Sequence, residues 1–138
     1  MTQSIIKLGV PKGSLEDATI NLFERAGWKI RKHHRNYFPD INDPEITASL
    51  CRAQEIGRYV SDGVLDVGLT GMDWILETEA DVVKVSDLVY SKSSNHPARW
   101  VLAVAGDSPY QKPEDLAGRR IATELRGVTE RDFRERGI

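Results

Sequence analysis

The chain has 138 residues, of which 40% are hydrophobic and 29% are charged, and its formal net charge at pH 7 is −2. This balance is typical of a globular domain and argues against a dedicated nucleic-acid or membrane-surface protein. No stretch has the length and apolarity of a membrane span, and the amino terminus does not resemble an export signal. The single cysteine, Cys51, cannot form an internal disulfide, which fits a reducing compartment. We therefore expect a cytoplasmic protein without a nucleic-acid or membrane partner.

Residues 5–27 predict a strand, a turn and a helix. The apolar run at 5–10 predicts the strand, which Pro11 should end because proline cannot continue a hydrogen-bonded ladder. A tight turn follows, and its last residue, Ser14, is predicted to cap the helix. Apolar residues then recur at helical spacing, and Gly27 suits the position just beyond the helix.

The middle of the chain alternates strands with helices. Residues 29–44 predict a basic loop with a short strand at 28–30. The segments that follow predict, in order, a strand at 46–50, a helix at 53–62, a buried strand at 64–69 and a helix at 73–78. Because helices separate the strands, we expect an α/β fold with right-handed crossovers and a mostly parallel sheet covered by helices on both faces.

The last part of the chain predicts the start of a second, smaller α/β lobe. Strand segments are expected at 82–89, and the polar, proline-ended segment 91–97 has the composition of a linker. Beyond it the sequence predicts, in order, a strand at 100–105, a helical turn at 113–116, a strand at 120–123 and a helix at 128–136. We therefore divide the chain into a first lobe, residues 1–97, and the start of a second lobe, residues 98–138, which is too small for a complete core.

The turn after the first strand places Lys12, Gly13 and Ser14 at a helix amino terminus. Backbone N–H groups and the helix dipole suit an anion at such a position, and Lys12 adds a positive charge. The competing interpretation is a capped helix with a solvated lysine. The sequence leaves both open.

A second turn, after the strand at 64–69, contains Thr70, Gly71 and Asp73. Its amides and the Thr70 hydroxyl could bind phosphate or ribose oxygens, and Asp73 could accept hydrogen bonds from hydroxyls. The competing interpretation takes Asp73 as an ordinary acid at a helix amino terminus. Ligands of open α/β sheets bind beyond the carboxyl ends of the strands. We therefore predict that this turn and the Lys12–Gly13 turn meet at one edge of the sheet and share an anion.

Further charged residues are candidates for the same site. Arg35 lies in a basic run that either neutralises phosphates or is a solvated loop. Arg52 follows a strand and Glu55 lies in the next turn, so the two form either a substrate-binding pair or an ordinary local ion pair. The adjacent His33 and His34 would face opposite ways on a strand, so we predict no metal site there.

Six short motifs resemble those of a known family and occur in its order. They are Val-Pro-Lys-Gly-Ser-Leu at 10–15, Arg-Asn-Tyr at 35–37, Arg-Ala-Gln-Glu-Ile at 52–56, Asp-Gly-Val-Leu-Asp-Val-Gly-Leu-Thr-Gly-Met-Asp-Trp at 62–74, Arg-Trp-Val-Leu-Ala-Val at 99–104 and Asp-Leu-Ala-Gly-Arg-Arg-Ile-Ala-Thr-Glu at 115–124. Singly each motif is weak, but together they span nearly the whole chain. The series resembles the N-terminal portion of the ATP phosphoribosyltransferases, the first enzymes of histidine biosynthesis.

This resemblance implies two periplasmic-binding-protein-like lobes with the active site between them. It also implies a Mg²⁺-dependent phosphoribosyl transfer, a pentosyl-type glycosyltransferase reaction, in which N1 of ATP attacks C1 of phosphoribosyl pyrophosphate (PRPP) and expels pyrophosphate. ATP and PRPP would then be the small-molecule partners, in a homo-oligomer. Lys12, Arg35 and Arg52 would contact anions and the turn at 70–73 would form a wall of the cleft, while the resemblance assigns no individual catalytic role.

The chain also departs from the family pattern. Several relatives carry arginine and proline where this chain has Ser14 and Gly57, and nothing up to Ile138 matches the family's acidic, threonine- and glycine-rich PRPP loop. We therefore expect a truncated polypeptide that does not turn over substrate alone. The alternative function is a cytoplasmic solute-binding or effector-sensing module with the same lobed fold, because residues 113–122 also resemble a segment common in such proteins.

Overall fold

A computed structural model of the chain describes residues 4–90, 96 and 98–138. The chain divides into two compact units, residues 1–97 and residues 98–138. The first unit contains, in chain order, β1 (Ile6–Lys12), α1 (Glu16–Arg25), β2 (Ile30–Arg31), β3 (Asp40–Ile41), β4 (Ile46–Arg52), α2 (Ala53–Ser61), β5 (Val67–Gly68) and α3 (Met72–Thr78). In the described part of the chain, no helix is long and apolar enough to cross a membrane.

The sheet of the first unit is parallel, as predicted, with β1 between β4 and β5. Alternate side chains of β1 point to opposite faces. Leu8 and Val10 are buried on one face, where residues of α1 pack against them. Gly9 lies on the other face, in close contact with Ile56 of α2 and with Leu65. The predicted α/β class is therefore confirmed, with helices covering both faces of the sheet.

The prediction that Pro11 ends the first strand is wrong, because β1 continues to Lys12. The hydrogen bonds of β1 explain why proline is tolerated. The amide of Ile6 donates toward the β4 side, whereas the carbonyls of Lys7 and Gly9 accept amides from the β5 side. By this alternation Pro11 points toward β5, whose pairing with β1 ends at Gly68. The missing N–H therefore faces a position without a ladder partner.

Helix α1 begins one residue later than a Ser14 cap requires. Its N-cap residue is Leu15, and no side chain caps it. The prediction for Ser14 is therefore wrong. Ser14 lies inside a turn that the Glu16 amide closes by donating to the Gly13 carbonyl at 3.1 Å, and the Glu16 carboxylate accepts the Gly13 amide at 3.2 Å. The predicted end is confirmed, because Gly27 has a φ of 100° and follows the C-cap residue Ala26.

The basic loop contains more regular structure than the sequence predicts. Strand β2 pairs with β3 as a two-stranded antiparallel ribbon, in which Ile30 lies opposite Ile41. Ile30 is buried and joins the core on the α1 side of the sheet. The sequence predicts β2 within two residues but gives no signal for β3, because a two-residue strand is defined by its partner rather than by its own pattern.

Residues 82–90 do not form the predicted strands. They have no ladder partner among the described residues, and Val83 and Val85 are 87% and 86% exposed. The end of the segment is nevertheless attached to the first unit, because the Tyr90 hydroxyl lies 2.7 Å from that of the fully buried Thr19 in α1. Thr19 donates its own proton to the Leu15 carbonyl, so Tyr90 is the donor in this bond. Burial raises the pKa of Tyr90.

The second unit contains a 3₁₀ helix (Pro113–Leu116) and α4 (Arg126–Glu135), close to the predicted helical turn and helix. The predictions of strands at 100–105 and 120–123 are wrong, because neither segment has a ladder partner in the part of the chain that the structure describes. A single extended segment gains no interstrand hydrogen bonds, so apolar composition alone does not make it a strand. The predicted linker at 91–97 lies outside the described residues except for His96.

Candidate functional site

The carboxyl ends of three parallel strands lie at one edge of the first unit. Lys12 and Arg52 are the last residues of β1 and β4 and are register partners. On the other side of β1, β5 ends at Gly68 and leads into the turn that contains Thr70 and Gly71. The fold therefore brings the two predicted turns to the same edge, on adjoining strands. Open α/β sheets bind ligands at this position.

The turn after β1 is held by an acidic and basic network. Gly13 has a φ of 100°, which favours glycine, and its amide donates to Glu16. The other carboxylate oxygen of Glu16 lies 3.1 Å from the ammonium of Lys32, which also bonds Asp17 at 2.9 Å. The hydrogen bond to Asp17, and then that to Glu16, raises the pKa of Lys32. The Gly13 amide is thus already bonded within the protein, and Ser14 is exposed beside it.

Lys12 differs from Lys32 in its surroundings. Its side chain is exposed, and its ammonium lies 4.3 Å from the centroid of the Tyr37 ring. No carboxylate forms an ion pair with Lys12 among the residues that the structure describes. No described carboxylate therefore neutralises its positive charge. Sequence reasoning did not single out Tyr37 as a site residue, because the contact depends on the path of the loop between β2 and β3.

The turn after β5 is tied to the start of α2. The Thr70 hydroxyl donates to the Ala53 carbonyl at 2.6 Å. This bond uses the only proton of the hydroxyl, so its oxygen could serve a ligand only as an acceptor. Gly71 is the extended N-cap residue of α3, and a Cβ added there would collide with the carboxylate of Asp73. The Asp73 carboxylate accepts the Trp74 amide at 2.9 Å. This contact agrees with the competing interpretation of Asp73 as an ordinary acid at a helix amino terminus.

The structure separates the remaining candidates. Arg35 has a positive φ of 68° and is exposed in the loop between β2 and β3. Arg52 and Glu55 form no ion pair with each other in the described part of the chain, so the interpretation as a local pair is wrong. The negative charge of Glu55 instead affects Cys51. Burial, and then the Glu55 charge, raises the pKa of this thiol.

The donor set at this edge does not form a protein cage for Mg²⁺. Among the described residues, no three His, Cys, Asp or Glu side chains lie close enough together to hold a metal ion. Mg²⁺ commonly keeps several waters and binds through substrate phosphates and one or two carboxylates. Glu55 and Asp73 are the carboxylates near the edge that suit such partial coordination. Partial coordination of this kind needs no cage of protein ligands.

The fold and this edge define a class: an open α/β protein with a parallel sheet and a basic carboxyl edge suited to anions. A sequence model described as "HisG: ATP phosphoribosyltransferase" matches residues 52–138. The chain belongs to the ATP phosphoribosyltransferase family.

Its relatives agree with this assignment. The chain is 77% identical over 133 residues to an ATP phosphoribosyltransferase of Nitratidesulfovibrio vulgaris, covering 96% of this chain and 45% of that protein. It is 71% identical over 135 residues to one of Solidesulfovibrio magneticus, covering 98% and 46%. The chain thus spans less than half the length of these curated relatives.

A solved structure has a similar fold. It is the ATP phosphoribosyl transferase (HisG:HisZ) complex from Thermotoga maritima, which matches with a TM-score of 0.52 and 24% identity over 61% of this chain and 40% of that chain. This likeness supports the α/β fold of the described sheet.

Proposed function

We propose that this chain supplies the N-terminal part of an ATP phosphoribosyltransferase and contributes anion-binding groups to its active site. The observation that carries the proposal is the register pairing of Lys12 with Arg52 at the edge where β5 also ends. Family membership favours this enzyme over the solute-binding alternative.

In the proposed reaction, the bond between C1 of PRPP and its pyrophosphate oxygen breaks, and a bond forms between C1 and N1 of ATP. The ribosyl centre becomes oxocarbenium-like, while negative charge grows on the departing pyrophosphate. Fixed cations placed where this charge develops lower the barrier. Lys12 and Arg52 suit this role because each is exposed at the edge, and the guanidinium of Arg52 can bind phosphate through two parallel hydrogen bonds.

Other residues of the edge would orient the substrates. Holding two reactants in a near-attack geometry can supply a large part of the rate enhancement. We assign the turn of Thr70, Gly71 and Asp73 to a wall of the cleft, and Glu55 and Asp73 to ribose hydroxyls or to the hydration shell of the metal. Arg35 and the Gly13–Ser14 turn would contact outlying phosphate oxygens, with Gly13 doing so only if Glu16 releases its amide.

Mg²⁺ enters this proposal as part of the polyphosphate substrates, whose charge it would reduce. The residues present fit this role because they offer separate carboxylates rather than a dedicated cage. We also propose that the parent protein is a cytoplasmic homo-oligomer acting at the first step of histidine biosynthesis. The family resemblance supports the homo-oligomer; the solved neighbour is itself described as a complex.

Two experiments test the proposal. Calorimetry on this chain should detect ATP in the presence of Mg²⁺, and Lys12→Met should weaken that binding. Binding of an amino acid or an inorganic oxyanion without ATP binding would support the solute-binding alternative instead. In the full-length N. vulgaris relative, pyrophosphate release from ATP and PRPP should fall when the lysine aligned with Lys12 is replaced by methionine. An unchanged rate would contradict the assigned site.

A further inference from the structure

We propose that Tyr37 is a positioning residue for Lys12: its ring holds the Lys12 ammonium at the carboxyl edge of the sheet without neutralising it. This inference rests on the proposed function, because it assigns a purpose to the charge of Lys12. It adds a residue to the site that acts through Lys12 and is not required to touch the substrate.

The ring of Tyr37 is placed by its backbone. The Tyr37 carbonyl accepts the Leu50 amide at 2.7 Å, which fastens the loop to the outer edge of β4. On the following residue, the Phe38 amide donates to the Asn36 side chain at 2.7 Å. Just before this turn, Arg35 adopts a left-handed φ of 68°. The loop is therefore fixed on both sides of Tyr37, although the residue as a whole is 56% exposed.

The contact itself has the geometry of a cation–π interaction. The Lys12 ammonium lies 4.3 Å from the ring centroid, within the distance of about 6 Å over which the ring attracts a cation. An exposed lysine otherwise has four rotatable bonds, and ordering them costs binding free energy when an anion arrives. A ring that orders the side chain beforehand reduces that cost.

The comparison with Lys32 shows why a ring differs from a carboxylate in this position. Lys32 is held by Glu16 and Asp17, whose negative charges cancel its positive charge for any incoming anion. An aromatic ring orients the ammonium through its quadrupole and carries no net charge. Lys12 therefore combines a defined position with an intact charge. Of these two lysines near the β1–α1 turn, only Lys12 is suited to bind a phosphate.

Calorimetry of this chain with inorganic pyrophosphate tests the inference. We expect Tyr37→Leu to weaken binding about two- to fivefold, because the Lys12 side chain must then be ordered when pyrophosphate binds. Tyr37→Phe keeps the ring and should bind within twofold of the original chain. Phe38→Leu, which removes the neighbouring exposed ring, is the matched control and should not change the affinity.

A double-mutant cycle separates this inference from the proposed function. If Lys12→Met leaves pyrophosphate affinity unchanged, the proposed site itself is wrong. If Lys12→Met weakens binding and Tyr37→Leu does not, only the positioning role is overturned. In the Lys12→Met background, Tyr37→Leu should have no further effect, and a full additional loss would show that the ring acts by another route.

Nuclear magnetic resonance gives a readout that does not depend on binding. The Hε protons of Lys12 should show an upfield ring-current shift, which persists in Tyr37→Phe and disappears in Tyr37→Leu. The Hε protons of Lys32 should not move. Unshifted Lys12 protons in the original chain would overturn the inference even if every variant bound pyrophosphate equally well.

Discussion

Lys12 and Arg52 are register partners at the ends of two adjacent parallel strands, so two cations share one edge of the sheet. The two residues lie at the same level of the sheet, so one ligand can contact both. This arrangement predicts that both contribute to binding a polyphosphate, Lys12 as a point charge and Arg52 through a directed pair of hydrogen bonds.

We expect Arg52→Lys to weaken pyrophosphate binding roughly tenfold, the equivalent of one lost charge-assisted hydrogen bond. Lysine retains the positive charge, so the loss of affinity measures the contribution of the hydrogen-bond geometry of the guanidinium. Arg58→Lys is the control, because Arg58 is exposed on α2, away from the end of β4. Calorimetry gives both values. Equal affinities for the two variants would count against directed binding by Arg52.

Gly68→Ala should destabilise the first unit by about 1–3 kcal/mol, as expected for overpacking. An added Cβ would collide with Cγ2 of Ile56, whose side chain is only 1% exposed and cannot retreat toward solvent. Gly106→Ala is the matched control, because nothing lies within 4 Å of the added carbon. Thermal and chemical denaturation measure the difference. A Gly68→Ala chain as stable as the control would mean that α2 sits farther from the sheet.

Thr70→Val should lower the free energy of unfolding by about 1 kcal/mol, because it removes the hydrogen bond to the Ala53 carbonyl. Amide hydrogen exchange in the turn at 69–71 should also accelerate. Thr78→Val serves as the comparison, since the Thr78 hydroxyl bonds only within its own helix, to the Trp74 carbonyl at 2.8 Å. If exchange in the turn is unchanged in Thr70→Val, this bond does not hold the turn.

Cys51 should react slowly with alkylating agents below its raised pKa, because burial, followed by the charge of Glu55, disfavours the thiolate. The folded chain keeps the thiol proton to a higher pH than the unfolded chain. The associated stability is therefore present below the ordinary thiol pKa and is lost as the pH rises through the folded value.

The pH dependence of the iodoacetamide reaction rate measures this pKa. Glu55→Gln should shift the profile toward lower pH, and the chain in denaturant provides the reference for an unperturbed thiol. A folded-state pKa at or below about 8.5 would contradict the predicted direction.

The predictable parts of the fold depend on local pattern. Apolar periodicity locates β1, β4, α2 and α3 within a few residues, and parallel topology then brings Lys12 and the turn at Thr70 to one edge. The segments at 100–105 and 120–123 have an equally suitable composition but no ladder partner in the described chain. A strand is stabilised by its contacts with a neighbouring strand, so the sequence of one segment alone cannot establish that it forms.

The missed features of the site depend on contacts between distant residues. The Glu16 carboxylate bonds both the Gly13 amide and Lys32, which lies sixteen positions farther along the chain. The approach of Tyr37 to Lys12 likewise depends on how the loop returns to β4. The propensities of neighbouring residues carry no information on either contact, so both can be found only in the three-dimensional structure.

Pro11 withholds one possible hydrogen bond at the carboxyl edge of the sheet. In a parallel ladder, the bond after that from the Leu69 amide to the Gly9 carbonyl would be donated by residue 11 to the Leu69 carbonyl. Pro11 has no N–H to make it, in agreement with the end of the β1–β5 pairing at Gly68. A residue with an amide at position 11 would offer the Leu69 carbonyl a donor that proline does not have.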